Sequence, residues 1–569
     1  MARATYLAPG VYVEEVPSAQ QPIAGVGTNT VGFIGFVPNE VKYPVPNPDY
    51  DPVHAKLALK IAALKAQGAT VSDADTKSID KEIADLQKEI DRLTADVSTN
   101  QNTLNDLRRQ LEDVERIAQK PEDQRTPEET QALSKRQSLT ARITRLDTEI
   151  NAKNDKIRLN TQSINELKQA KEGKTPLPTV GQSSVLRPYL LETFKLDVAP
   201  CATKLCTNFS EYAQQFGNFS ADTPEKQGEA LHPGHRALTH AVSGFFKNGG
   251  TRCFVARVNA NSAEDANADE IDRTLTAFES IDEVAIIAAP GLCGPDIWDK
   301  LVTHCETCEN RFAILDSPEV VETDNQLDIT LLSYSNLENV LPQRNKNAAL
   351  YFPYIEVVDP AVQLQDEDPA RGVDLKYRGR VHVPPSGHIA GIYARTDEER
   401  GVHKAPANTA VLGALNVKYY IGKPKQELLN PQGVNCIRNI NGNITVWGAR
   451  TIGGDVNGEW KYINVRRTFL FLRKSIDEGT QWCVFEPNDP QLWGKIRRNV
   501  GAFLTNVWRS GALFGLTPEE AFYVKCDAET NPPEVRDLGM VVTEIGVAIV
   551  RPAEFVIFRI TQSTGPKTS

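Results

Sequence analysis

Few residues in this chain stand at spacings that could do chemistry. His304-Cys305-Glu306-Thr307-Cys308 places two thiols at CxxC spacing beside an imidazole, the ligand types of a zinc site or a redox dithiol. No second CxxC accompanies it, so it supplies half a zinc site, and cysteines at i and i+3 of a helix also serve as small core residues. His232, His235 and His240 fall within nine residues without a carboxylate at metalloprotease spacing, and read as cap and packing residues near a helix start. Ser386-Gly387-His388 is not the GxSxG elbow of an acyl-transfer nucleophile. Asp397, Glu398 and Glu399 read as one charged helix face, not as a separated acid/base pair. The stretches NANSAEDANAD and PGLCGPD, where phosphate-binding turns would lie, carry neither GxGxxG nor GxxxxGK[ST]. Gly25-Val26-Gly27-Thr28 precedes a strand instead of following one. The expectation is no catalytic residue, no cofactor, no metal and no enzyme activity; an α/β enzyme working through Cys305 and Cys308 is the weakest of three functional readings.

The elements that must position these residues are constrained by length and charge. At 569 residues about four domains are expected. The net charge of −11 argues against a chain held to nucleic acid by its bulk field. No run approaches 18 apolar residues, and MARATYLAPGVYVEEV lacks the apolar core of a secretion signal. Nine cysteines at irregular spacing make no disulfide framework. The reading is a soluble, acidic, multi-domain protein of a reducing cytoplasm, with no membrane contact.

Composition breaks at residues 55–172, which contain no Phe, Trp, Tyr or Cys and 21 basic against 21 acidic residues. Ile79, Ile83, Leu86, Ile90, Leu93 and Val97 open a 4-3-4-3 rhythm that runs to Val114, and Leu139 to Leu167 repeats it. Asn100, Lys153 and Asn160 fill polar core slots. This a/d pattern predicts a coiled coil, as an antiparallel hairpin or as a parallel pairing between subunits. From about Arg252, apolar runs Cys253–Val258, Val284–Ala288, Phe312–Leu315 and Ala348–Val358 alternate with amphipathic stretches, predicting an α/β layer.

Residues 441–515 are net +4 within the acidic chain. After Asp489-Pro490, Leu492, Trp493, Ile496, Val500, Phe503 and Leu504 define one wide apolar helix face, which extends to Val507 and Trp508. Lys495, Arg498 and Arg509 lie opposite, either as a solvated face or as an electrostatic track for an acidic partner. Both chain ends carry strand-like runs: Val11, Tyr12, Val13 and Val16 near the start, and Phe555, Ile557, Phe558 and Ile560 near the end. Such strands must pair within their own fold or complete a neighbour's sheet.

In order along the chain, PGVYVEEV, TNTVGFIGFV, FFKNGGTRCFVARV, PPSGHIAGIYARTDEERGVHKAPAN, YINVRRTFLFLRKSI, CVFEPNDPQLW, GALFGLTPEEAFYVKCD and EIGVAIVRPAEFVIFRI resemble the tail sheath proteins of contractile phage tails and phage-like injection systems. The resemblance covers nearly everything outside 55–172. It implies an α/β (α+β) multi-domain structural protein without enzymatic activity. Such a subunit stacks in six-membered rings around an inner tube, with baseplate and tail terminator or cap proteins as further partners. Both arms would add strands to neighbouring subunits, and Lys495, Arg498 and Arg509 are the candidate tube contacts. It also implies assembly in the bacterial cytoplasm and a place in a virion tail or phage-tail-like particle. The expected divisions are 1–30 (N-terminal arm), 31–54 (start of the body), 55–172 (inserted hairpin), 173–400 (middle domain), 401–550 (C-terminal domain) and 551–569 (C-terminal arm). The alternative is a coiled-coil scaffold or adhesion subunit of a helical assembly, in which the hairpin is the working part.

Overall fold

The apolar runs form one mixed sheet of nine strands: β1 (Val31–Phe36), β2 (Lys204–Cys206), β3 (Cys253–Val258), β4 (Ile286–Ala288), β5 (Phe312–Asp316), β6 (Ala348–Phe352), β7 (Thr409–Ala410), β8 (Val434–Ile440) and β9 (Asn443–Val446). A computed structural model describes residues 23–48, 50, 73–120, 126, 133, 135–171, 187–224, 228–260 and 268–559. The spatial order is β7-β9-β8-β6-β5-β4-β1-β3-β2. The six inner strands run parallel, with Phe33 opposite both Val255 and Ala288, and Leu350 opposite both Leu315 and Val434. The short edge strands are antiparallel.

Helices cover both faces, which explains why the inner strands read as continuous apolar runs and not as alternating ones. Side chains still alternate: Val31, Phe33, Phe312 and Ile314 face α3 (Pro233–Lys247) and α4 (Ser386–Arg400). Ile34, Phe36, Ala313 and Leu315 face the helices Ala268–Glu279 and Pro295–Cys308. The β1 run, expected as the strand after Gly25–Thr28 at the start of the body, is a central strand of the sheet, between β3 and β4. The apolar stretch Ala348–Val358 is two strands, because the chain breaks at Pro353 before a separate strand, Ile355–Val358. Strands from both sides of position 400 share the sheet, so the expected division between 173–400 and 401–550 cuts through it.

Downstream, α5 (Ile463–Thr480) and α6 (Pro490–Arg509) build a smaller core with the ribbon of β10 (Phe522–Lys525) and β11 (Glu544–Val547). Leu472, Ile496, Val500, Phe503 and Leu504 are its centre. All of these elements belong to one compact unit, Met1–Tyr43 with Glu192–Val362 and Gly379–Ser569.

The second unit is Pro44–Leu191 with Gln363–Arg378. Its main elements are α1 (Asp73–Ala118) and α2 (Arg136–Lys171). Ile79 and Leu86 pack on Ile164 and Leu167, while Leu107 and Val114 pack on Leu139, so the helices run antiparallel. Arg108 pairs with Asp147 at 3.0 Å across the seam. The polar slots meet midway: Asn100 Nδ2 donates to Glu149 Oε1 at 3.2 Å, and Lys153 Nζ lies 2.9 Å from the same oxygen. Asn160 is buried.

Two expectations follow from the packing of α3, α4 and the sheet. A Cβ on Gly387 would stand 2.2 Å from the Cα of Ala241 and one on Gly391 2.5 Å from the Phe245 carbonyl oxygen, so the helices touch through glycine. Gly387→Ala is therefore expected to lower stability by about 1–3 kcal/mol, read as a shift in urea midpoint at unchanged slope. The second expectation concerns pH. Burial, opposed for His235 by its bond to the Phe216 carbonyl, lowers His235 to about 4. Burial and the neighbouring Arg311 lower His304 to about 4, and burial lowers His388 to about 3. Their folded values lie below the unfolded value of about 6.5, so their contribution is present above that pH and is lost as pH falls towards 4. Asp316 acts oppositely: burial raises it to about 6, and its contribution grows as pH falls from 6 to 4. Three imidazoles against one carboxyl leave a net loss, at about 1.4 kcal/mol per pH unit for each uncompensated group. Urea midpoints measured from pH 7 to 4 should fall; a flat profile contradicts neutral buried imidazoles.

Candidate functional site

The motifs that could have done chemistry are built into packing. Cys305 lies in the core under β5, and burial pushes its thiol well above the usual range. Cys308 Sγ lies 3.8 Å from His304 Nε2, but that nitrogen also faces Arg311 Nη1 at 2.7 Å. A guanidinium in that place opposes a cation on the imidazole. Among the described residues no group of three His, Cys, Asp or Glu side chains is arranged to hold a metal ion. His235 Nε2 meets the Phe216 carbonyl at 2.8 Å, and His240 Nε2 meets Asp359 at 2.9 Å. Ser386 Oγ donates to Asp316 Oδ2 at 2.6 Å, while the Ser386 and Gly291 amides donate to the same carboxylate. These bonds tie the start of α4 to the end of β5.

One reading is corrected by the structure. Asp397 does not share a solvated face with Glu398 and Glu399. It turns inward to a bidentate pair with Arg467, at 2.8 and 2.6 Å, with both side chains 4% exposed. Thr28 Oγ1 donates to the same carboxylate at 2.6 Å, and Arg467 Nη2 donates to the Thr28 carbonyl at 3.0 Å. The i, i+1, i+2 run of acids hid this, because adjacent helical residues do not share a face.

The candidate binding surfaces of the sequence reading lie on the C-terminal module. Asp489 caps α6 by accepting from the Leu492 amide at 2.8 Å, and Pro490 stands in the first turn. The apolar face is buried from Leu492 to Val507, with Trp508 half-buried, its indole donating to the Gly515 carbonyl at 3.0 Å. Lys495, Arg498 and Arg509 are exposed. At 100° per residue the three fall within an arc of about 60°, and Arg509 lies about 16 Å along the helix from Arg498. Lys495 and Arg498 line a shallow open groove with Pro490, Gln491, Gly494 and Arg497. Arg497 is committed, since its guanidinium donates to the Cys526 carbonyl. Among the described residues Lys495, Arg498 and Arg509 have no such partner. Ala502 lies within their arc and Gly494 and Gly501 border it, and a Cβ at either glycine would meet nothing within 4 Å. The track thus offers charge on a surface that a partner's backbone can approach closely.

Of the arm residues, Val11, Tyr12, Val13, Val16 and Ile560 lie outside the described residues. Phe555–Phe558 belongs to no strand of this chain, and its four side chains are 68–85% exposed. A strand needs a second backbone to bond, and the described residues supply none there. In the same module, among the described residues, β10 pairs only with β11, below the three strands that make a small sheet self-sufficient.

Comparison with known proteins agrees with the arrangement. Residues 263–452 match the phage tail sheath protein central domain, and residues 455–563 match the phage tail sheath C-terminal domain. The tail sheath protein of Vibrio phage KVP40 is 28% identical over 188 residues, covering 32% of this chain and 26% of that one. A putative prophage major tail sheath protein of Pseudomonas aeruginosa is 27% identical over 210 residues, covering 36% of this chain and 50% of that one. The chain thus matches a quarter to a half of the length of these curated relatives. Among solved structures, the contracted sheath complex of PVC, an extracellular contractile injection system, superposes with a TM-score of 0.51 at 27% identity. It covers 64% of this chain and 88% of that one. The contracted helical sheath of the anti-feeding prophage gives 0.50 at 26% identity, covering 64% and 88%. Sheet, C-terminal module and family matches agree: the chain belongs to the contractile tail sheath family.

Proposed function

We propose that this chain is a structural subunit of a contractile sheath, polymerising helically with six-fold symmetry around an inner tube and contracting to drive that tube through a target envelope. The observation that carries the proposal is the run Phe555–Phe558: four consecutive apolar side chains left exposed and, among the described residues, without strand partners beyond a well-packed module. An exposed apolar strand is an association site, and backbone hydrogen bonds can join subunits without depending on one side-chain surface. The residues of the N-terminal arm, Val11, Tyr12, Val13 and Val16, are assigned the same role. The short β10–β11 ribbon is a fitting acceptor for both arms.

The inner tube contact is assigned to Lys495, Arg498 and Arg509. A sheath must hold its tube and later slide along it, so a polar, charged track suits the contact better than an apolar seam. Baseplate and terminator proteins bound the polymer at its ends. The finished particle is a virion tail or a phage-tail-like injection particle, assembled in the bacterial cytoplasm. The domain assignment follows: the nine-stranded α/β body carries the lattice's outer bulk, residues from about 455 onward face the tube, and 55–172 is an inserted coiled-coil hairpin outside the sheath machinery.

Two experiments test this. Deleting residues 2–16 should leave a folded chain that forms no tubes in negative-stain images; normal tubes from the deleted chain overturn strand exchange. The Lys495→Glu/Arg498→Glu variant should co-sediment with the inner tube protein at least tenfold less than the parent, with its melting midpoint within a few degrees. Equal recruitment of the tube by the reversed chain counts against the track.

A further inference from the structure

Both terminal segments are pinned to one helix. On the N-terminal side, the Val26 amide donates to Ser475 Oγ at 3.2 Å, Ile23 packs against Gly479, and Thr28 closes the Arg467–Asp397 pair. Arg467, Ser475 and Gly479 are all on α5. On the C-terminal side, one carboxylate gathers four donors just before the exposed apolar run. Glu554 Oε1 accepts from Arg450 Nε at 2.8 Å and Asn430 Nδ2 at 2.7 Å. Glu554 Oε2 accepts from Arg450 Nη2 and from the Tyr462 hydroxyl, both at 2.9 Å. Tyr462 is the N-cap residue just before α5, and Asn464 on its first turn donates to the Val550 carbonyl at 3.1 Å. Arg450 is 3% exposed and Glu554 19%. The next four residues are among the most exposed apolar side chains of the chain.

We infer that α5 is a common mount for the two arms, and that Arg450 and Glu554 are positioning residues that fix where and in which direction the C-terminal arm leaves its subunit. The geometry carries this. A bidentate guanidinium–carboxylate pair fixes orientation as well as position. It is set at the boundary between packed and exposed chain, where an ordinary core would need no charge. From Tyr462 to Ser475 the helix spans about 20 Å, so the two exits are held a fixed distance apart by one rigid element. A lattice built by strand exchange needs that constancy, since a donor strand with a wandering root cannot select one acceptor. The inference rests on the strand-exchange reading above.

The test uses the full chain with its inner tube protein, three variants (Glu554→Gln, the doubly neutral Arg450→Met/Glu554→Met, and a chain truncated after Ala553) and the conservative Glu554→Asp as a control. Sedimented sheath and melting midpoint are read together. The expectation is that both substituted chains melt within a few degrees of the parent and yield at least tenfold less sheath, with Glu554→Asp recovering part of it, and that the truncated chain yields none. Parent-like assembly of the substituted chains beside a failing truncation overturns the positioning role and leaves strand exchange standing. Parent-like assembly of the truncated chain removes the strand-exchange reading and this inference with it. Loss of the cooperative melting transition in both substituted chains assigns the clasp to folding and overturns the proposal.

Discussion

Arg467 cannot shed its proton at any ordinary pH and has almost no water to solvate it, so three parts of the chain are organised around its charge. Burial alone would disfavour the cation, but Asp397 outweighs it and the guanidinium is held more firmly charged than in water. Asp397 supplies the opposite charge from α4, the Thr28 carbonyl accepts from the chain just before β1, and the Tyr393 ring lies 4.7 Å from the guanidinium carbon. Loss of one partner from such a pair leaves an uncompensated charge in the core, at a cost of about 3–5 kcal/mol. A hydrophobic contact in the same place would tolerate sliding. The ion pair does not, and it locks the helix of the C-terminal module to the sheet that carries the fold.

This constraint makes sense of the division of labour. The nine-stranded sheet is buried on both faces, and its two covering helices on one side touch through Gly244, Gly387 and Gly391. Such a body has little freedom to deform. What it mounts is a smaller module with a basic helix face at Lys495, Arg498 and Arg509 and a two-stranded ribbon. On the sheath reading proposed above, such a body supplies a rigid subunit, and the strand-exchange arms begin beyond the two arginine clasps.

The hairpin follows different rules. Its seam consists of single aliphatic layers with Asn100, Glu149 and Lys153 in the middle, and α1 and α2 supply one another's apolar surface. Such a unit can be inserted into a chain without drawing on the core of the body, because its stability is local.

Much of this was legible in the order of the residues. The heptad rhythm marked α1 and α2, since a two-helix seam depends on nearest-neighbour spacing alone. The same holds for α6, whose cap, proline and apolar face stand within twenty residues. The strand runs and the exposed Lys495, Arg498 and Arg509 were also readable, because burial on a covered sheet and exposure on an amphipathic helix both follow local pattern. What the sequence could not show was partnership at long range. That β1 would lie between β3 and β4, that Asp397 would leave its acidic neighbours for Arg467, and that Glu554 would be seized by Arg450, over a hundred residues away, depended on which surfaces the folded chain brought together. Periodicity encodes which way a side chain points. Only the closed tertiary structure decides what it meets there, because that is set by the summed packing of every other element.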